Sequence, residues 1–219
     1  MMNVALIREH FRTLQYLKSF APNGTLEIRG ASFTADEPSI FGTPNPDYIA
    51  AEIQWYEEQN MSVDRLAEIY GKRVAIWDSV SNKDMMINSN YGWCIYSNEN
   101  GNQYDKVLHE LQEHPNSRRG VMIYQRPNIH FDAVDAGCND FICTNAVHYH
   151  ISHGNLHAVV QMRSNDAVFG YNNDIAWQQH VLDKLAHDLN LNPGLITWQA
   201  ASLHVYPRHF DLIAPKDAN

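Results

Sequence analysis

Between Leu156 and Met162 the chain alternates: Leu156, Ala158, Val160 and Met162 are interleaved with His157, Val159 and Gln161. This is the two-residue period of a strand with one buried face. Val121 to Tyr124, Ala146 to Ile151 and Thr25 to Arg29 also read as strands, and Leu195 to Tyr206 is mostly β-prone with a polar end. Helical spacing marks two other stretches. Asp47 to Gln59 carries Ile49, Ile53 and Tyr56, and Ile175 to Leu189 carries Trp177, Val181, Leu182, Leu185 and Leu189. The second has Asp174 where an N-cap belongs. Met1 to Phe20 mixes Arg8, Glu9, Arg12 and Lys18 into apolar residues and reads as an amphipathic helix rather than a secretory leader.

Turn signals are spread evenly, at Pro44-Asn45-Pro46, His114-Pro115-Asn116, Gly154-Asn155, Asn192-Pro193-Gly194 and Tyr206-Pro207. With no repeat and no low-complexity linker, the pattern predicts one α+β domain over residues 1–219 with a large sheet. Phe141 to Met162 contains no Asp, Glu, Lys or Arg, yet its four histidines, two asparagines and several hydroxyls exclude a spanning helix.

Charge narrows the class of partner. The 16 Lys and Arg against 25 Asp and Glu give a net charge of −9 with histidine neutral, which argues against a grip on DNA or RNA backbone. A local anion site is still compatible with it. The odd number of cysteines, Cys94, Cys138 and Cys143, points to reduced thiols in a cytoplasmic protein.

Three constellations bear chemistry. Arg118 and Arg119 follow the turn Pro115-Asn116-Ser117, and paired guanidinium forks match phosphate oxygens, although a solvated surface pair is equally natural. Arg163-Ser164-Asn165-Asp166 follows an apolar strand, where binding groups collect. Cys143 stands at the head of a strand, where it is either a small buried hydrophobe or, next to arginines, an activated thiolate. His148, His150, His153 and His157 raise a metal site, but no Cys-x-x-Cys or His-Glu-x-x-His motif supports one, and no metal is expected.

Taken together, these residues resemble the thymidylate synthase family, closest to its deoxycytidylate hydroxymethylase branch from phages. The motifs are Gly30-Ala31-Ser32-Phe33, Ala35-Asp36-Glu37-Pro38, Ile87 to Trp93, Met162 to Asp166 and Ser202 to Tyr206, in order, together with Cys143 and Ser117-Arg118-Arg119. The resemblance spans roughly Thr25 to Phe210. It implies a large twisted mixed β-sheet with flanking helices, and a homodimer with shared active sites. It also implies transfer of the one-carbon unit of 5,10-methylenetetrahydrofolate to carbon 5 of a pyrimidine mononucleotide, in the cytoplasm of the bacterial host if a phage encodes the chain.

By the same resemblance, Cys143 is the nucleophile that adds to carbon 6 of the base. Arg163 and Ser164 of one subunit, with Arg118 and Arg119 of the other, hold the phosphate, and His204 and Tyr206 hold the sugar 3′-hydroxyl. Glu52 organises water and proton transfers, Tyr91 stands near the reacting carbon, and Trp77 and Asp166 face the folate. Asp174 replaces the asparagine of thymidylate synthases. A carboxylate only accepts hydrogen bonds, which suits the exocyclic amine and protonated ring nitrogen of cytosine in dCMP. Thr144 stands where the synthases have a histidine. Ala201, where a glycine is expected beside the sugar, leaves deoxyribose or ribose open. The polar tail Ala214 to Asn219 is expected not to seal out water, which favours a hydroxymethyl over a methyl product. The rivals are a reductive dCMP methylase, a CMP hydroxymethylase and a non-catalytic nucleotide-binding homologue.

Overall fold

A computed structural model describes residues 2–135 and 137–214. The chain opens with β1 (Met2–Asn3), α1 (Val4–Tyr16) and β2 (Leu26–Thr34). It continues through α2 (Pro46–Glu57), α3 (Val63–Tyr70), α4 (Ala75–Val80), α5 (Tyr91–Tyr96), α6 (Gln103–Glu113), β3 (Val121–Ile123), α7 (Ile129–Asp135) and β4 (Thr144–Ser152). It closes with β5 (Asn155–Met162), β6 (Asn165–Asp166), α8 (Gly170–Asp188), β7 (Asn192–Val205) and a 3-10 turn over Pro207–Leu212. Contacts cluster into two compact units, one running to Pro44 and resuming at Ser152, the other covering Asn45–Ile151. The polar tail from Pro215 on lies outside the described residues.

In the first unit everything is built around β7. On one edge it pairs antiparallel with β2, from Leu26 opposite Val205 to Thr34 opposite Thr197, and β1 lies parallel to β2. On the other edge it runs parallel to β5 and then to β6, where Asp166 stands opposite His204. The sheet is therefore mixed. Parallel neighbours need a crossover, and α8 supplies it between the β5 and β7 segments. The buried face of α8 carries Tyr171, Ile175, Trp177, Val181, Leu182 and Leu185, and β5 buries Leu156, Ala158, Val160 and Met162 as its alternation predicts.

The Ala35-Asp36-Glu37-Pro38 motif has a structural role here. Asp36 accepts from the backbone N–H of Val4 at 3.0 Å, at the first turn of α1. Glu37 takes a two-pronged bond from Arg8 at 2.9 and 2.7 Å, while Arg8 also donates to the carbonyls of Ser39 and Ile40. The amphipathic N-terminal helix is shorter than its apolar pattern suggested, ending at Tyr16, and its first residues form β1 instead.

In the Asn45–Ile151 unit, β3 pairs antiparallel with β4 beside a layer of short helices. Sequence periodicity set Ile49, Ile53 and Tyr56 at helical spacing on α2. The structure buries Tyr56 together with Ala51, Glu52 and Trp55 and leaves Ile49 and Ile53 half-buried, because the inner stripe includes a carboxylate that a hydrophobic scan passes over. Helix α5 approaches α2 so closely that a Cβ on Gly92 would lie 1.7 Å from the carbonyl oxygen of Tyr56. A glycine is required at this point for close backbone approach.

Gly92→Ala is expected to destabilise the protein by about 3 kcal/mol or more, since the obstacle is backbone that cannot swing aside. Urea unfolding would show it as a lowered midpoint; an unchanged midpoint would contradict the close approach.

Candidate active site

The reacting groups predicted from the sequence fall in the Asn45–Ile151 unit. Asn45 caps α2 by accepting from Tyr48 N at 3.1 Å, and Pro46 suits the first helical position. One turn on from Tyr48 is Glu52, which is 6% exposed. Its carboxylate accepts from the Tyr48 hydroxyl at 2.5 Å, and that hydroxyl accepts from Trp77 Nε1 at 2.8 Å. Burial pushes the Glu52 carboxyl up from its ordinary 4.5 to about 7, although hydrogen bonds from Tyr48 and Trp77 pull the other way. A carboxyl poised there can give or take a proton at neutral pH.

Helix α5 begins at Tyr91. Asn90 caps it by accepting from Trp93 N at 2.8 Å, and its amide donates to the carbonyls of Trp55 and Asn60. The Tyr91 ring stacks on Tyr56 at 5.4 Å and meets Tyr124 edge-on at 5.2 Å. Its hydroxyl accepts from Thr144 N at 3.3 Å, one peptide beyond Cys143. Cys143 directly precedes β4 as expected and is half-buried, whereas Cys94 and Cys138 are buried. Burial pushes the Cys94 thiol up to about 12 and raises that of Cys138 as well, so neither competes as a thiolate near neutral pH.

Arg118 and Arg119 are exposed on the turn before β3, where Ser117 bonds Glu110 at 2.5 Å and receives Arg119 N at 3.1 Å. Arg8, Arg12, Arg29, Arg65, Arg73 and Arg126 are paired with carboxylates. Among the described residues Arg118 and Arg119 have no such partner. That leaves two guanidinium groups free for an external anion.

The other predicted groups lie in the β7-centred unit. The β6–β7 register sets Asp166 opposite His204, and Ala167 N donates to His204 O at 2.9 Å. The rings of His204 and Tyr206 meet edge-on at 4.9 Å. Asp166 accepts from Val168 N at 3.0 Å, so one of its oxygens closes a local turn. Arg163 and Ser164 are half-buried on the loop between β5 and β6.

Asp174 was expected to cap the helix; instead α8 starts at Gly170 and Asp174 lies a turn inside it. The weak helix formers Gly170-Tyr171-Asn172-Asn173 hid that first turn. With no cap to make, its carboxylate accepts from Asn165 Nδ2 at 2.7 Å. A Cβ on Gly170 would sit 3.3 Å from that same amide nitrogen. Tyr48, and Asn165 beyond its place in the Arg163–Asp166 stretch, are candidate site residues to which sequence reasoning gave no role. Tyr48 could have been found from its one-turn spacing to Glu52, whereas the Asn165–Asp174 bond depends on how strand and helix fold together. Of the histidines, His157 accepts from Leu195 N at 3.0 Å and His153 bonds Ser152 at 2.8 Å.

Comparisons with known proteins place the chain in a family. Residues 45–216 match the family model described as thymidylate synthase. The chain is 48% identical, over 97% of its length and 89% of the relative's, to the deoxycytidylate 5-hydroxymethyltransferase of Enterobacteria phage T4. It is 31% identical to the thymidylate synthase of Bacillus atrophaeus over 63% of this chain and 61% of that one. The solved structure of thermostable thymidylate synthase A from Bacillus subtilis superposes with a TM-score of 0.67 at 25% identity, covering 85% of this chain and 68% of that one. The chain belongs to the thymidylate synthase family, with the α+β fold and mixed sheet that family implies. No helix among the described residues is long and apolar enough to cross a membrane.

Glu52 generates a prediction on stability. Its folded carboxyl titrates above the unfolded one, so the folded state holds the extra proton, and stability falls as pH rises from about 4.5 towards 7. Glu52→Gln removes that penalty. It is expected to gain on the order of 3 kcal/mol over the parent above neutrality and almost nothing at acid pH. Thermal melts across pH check this; equal gains at both ends would refute it.

Proposed function

We propose that this protein is a dCMP 5-hydroxymethylase. It takes the one-carbon unit of 5,10-methylenetetrahydrofolate onto carbon 5 of dCMP, and water then adds to give 5-hydroxymethyl-dCMP. The observation that carries the reading is the Asn165–Asp174 hydrogen bond. An amide donor set against residue 174 matches an acceptor-only carboxylate. Asp174 can then receive both the exocyclic amine and the protonated ring nitrogen of cytosine. Uracil offers a carbonyl where cytosine offers the amine and would meet the carboxylate acceptor to acceptor.

The steps follow from the chain's own groups. Cys143 adds as thiolate to carbon 6, which makes carbon 5 electron-rich enough to attack the folate methylene; loss of the carbon 5 proton then expels tetrahydrofolate, water adds to the methylene left on the base, and the thiolate departs from carbon 6. Glu52, with Tyr48 and Trp77, handles water and protons, and Tyr91 stands by the reacting carbon. Arg163 and Ser164 take the phosphate with Arg118 and Arg119 of a second subunit, for which their exposure and lack of internal carboxylate partners suit them. His204 and Tyr206 take the sugar hydroxyl, and Trp77 and Asp166 face the folate. Residues 1–219 act as one catalytic domain working as a homodimer, with no metal, membrane or nucleic-acid partner. If phage-encoded, like the phage T4 relative named above, it works in the host bacterial cytoplasm.

Incubation with methylenetetrahydrofolate and dCMP, CMP or dUMP, with products weighed by mass spectrometry, is expected to favour dCMP and add one CH2O unit. A methyl product with dihydrofolate released would move the reading to the reductive route, and preferred turnover of CMP would make ribose the sugar. Cys143→Ser should lose at least about a thousandfold in kcat while still binding nucleotide. Asp174→Asn should shift preference towards dUMP by about two orders of magnitude. In a separate test of the shared site, Arg118→Ala subunits mixed with Arg163→Ala subunits should regain activity. No recovery in verified heterodimers would refute the sharing.

A further inference from the structure

Residues 137–143, which lead into the nucleophile, have no regular secondary structure. A reacting group on such backbone must be anchored from outside, because misplacement of about 1 Å can cost a hundredfold in rate. The anchors are on both sides of Cys143. Beyond it, Thr144 N is held by Tyr91. Just before it, the carbonyl of Ile142 accepts from Gln125 Nε2 at 3.1 Å. Earlier still is Asp140, 7% exposed, whose Oδ2 alone accepts from Asn88 N at 2.6 Å, Ser89 N at 2.7 Å and Ser89 Oγ at 2.7 Å.

Both Asp140 and Thr144 therefore bind one short segment, residues 88–91. That segment is itself fixed. Asn90 donates to the carbonyls of Trp55 and Asn60, and Arg126 donates to Asn88 Oδ1 at 3.3 Å and to Asp132 at 2.5 Å. Trp55 lies on the helix that carries Glu52.

We infer that Asp140 is a positioning residue for Cys143: it ties the irregular backbone before the nucleophile to the 88–91 segment and so sets the approach of the sulfur. This rests on Cys143 being the nucleophile, as proposed above. A carboxylate oxygen is suited to the task because a charged acceptor can hold three donors at short range. Burial raises its carboxyl from the ordinary value, against the pull of Ser89 and of the backbone N–H groups of Asn88 and Ser89. Asp140 touches no substrate in this account; it acts through the peptide that carries the sulfur.

The test uses the full chain carrying Asp140→Ala, Asp140→Asn or Ser89→Ala. Amide hydrogen exchange is read without substrate, on peptides covering residues 86–91 and 139–145. Steady-state kinetics with dCMP and methylenetetrahydrofolate are measured alongside.

In Asp140→Ala, exchange in both peptides is expected to rise at least about tenfold and kcat to fall about a hundredfold, with KM for dCMP within about threefold. Asp140→Asn keeps an oxygen for the three donors and should recover kcat to within about tenfold of the parent. Unchanged exchange at 139–145, unchanged kcat, a KM that rises in step with the loss, or no recovery in Asp140→Asn would each overturn the assignment. If Asp140→Ala does not fold, Ser89→Ala removes one of the three bonds and should raise exchange at 139–145 and lower kcat; no change in either would overturn it. Were the parent to turn over none of the nucleotides offered, the proposed activity would fail. The tether itself would still be decided by the exchange data.

Discussion

The approach of α5 to the carbonyl of Tyr56 governs the arrangement of the Asn45–Ile151 unit. With no side chain at Gly92, the two helices meet backbone to backbone, which leaves Tyr91 stacked on Tyr56. Tyr56 shares the buried stripe of α2 with Glu52, and Tyr91 reaches the peptide beside Cys143. One steric constraint thus fixes the carboxylate, the phenol and the thiol in a single frame. The buried aromatic rings around them stiffen it, since each fills volume that a smaller residue would leave open.

The β7-centred unit solves a different problem. The residues proposed there for phosphate, sugar and base come from the loop after β5, from β6, from the first turns of α8 and from the end of β7. These are strand and helix ends, where polar groups can leave the ladder without stranding backbone donors. The short β6 matters more than its length suggests, because its pairing with β7 brings the Arg163–Asp166 motif alongside His204. Asn165 then connects that motif to α8 through Asp174.

The sequence revealed this arrangement unevenly. Strand β5 was legible because one face is apolar throughout, and α8 because its apolar stripe runs for several turns. Strand β2 continues past Arg29 to Thr34, through Gly30 and Ser32, residues that carry no strand signal of their own. Helices α3, α4, α5 and α7 are two turns or so each, too few for periodicity to register, whereas α6 carries Tyr104, Val107 and Leu111 at helical spacing and was legible but unread. At the site, motif resemblance supplied Cys143, Glu52, Tyr91 and the arginines. Tyr48, Asn165 and Asp140 emerged only from the fold, since what singles each out is a partner distant in sequence or a neighbour on the same helix turn. Asp174 was identified as a residue that matters, but its expected capping role was wrong because the helix begins earlier.

The contrast among the three cysteines has a consequence for the protein's chemical lifetime. Cys94 and Cys138 are shielded by the surrounding fold and held as thiols, while Cys143 keeps access to solvent. Oxidation follows thiolate character and exposure. An oxidant acting on the native protein therefore converts Cys143 first and, on the role proposed for Cys143, sulfenic acid there would end function while the fold stayed intact. Loss of activity and loss of structure become separate events, and a thiol reductant could reverse the first without any refolding.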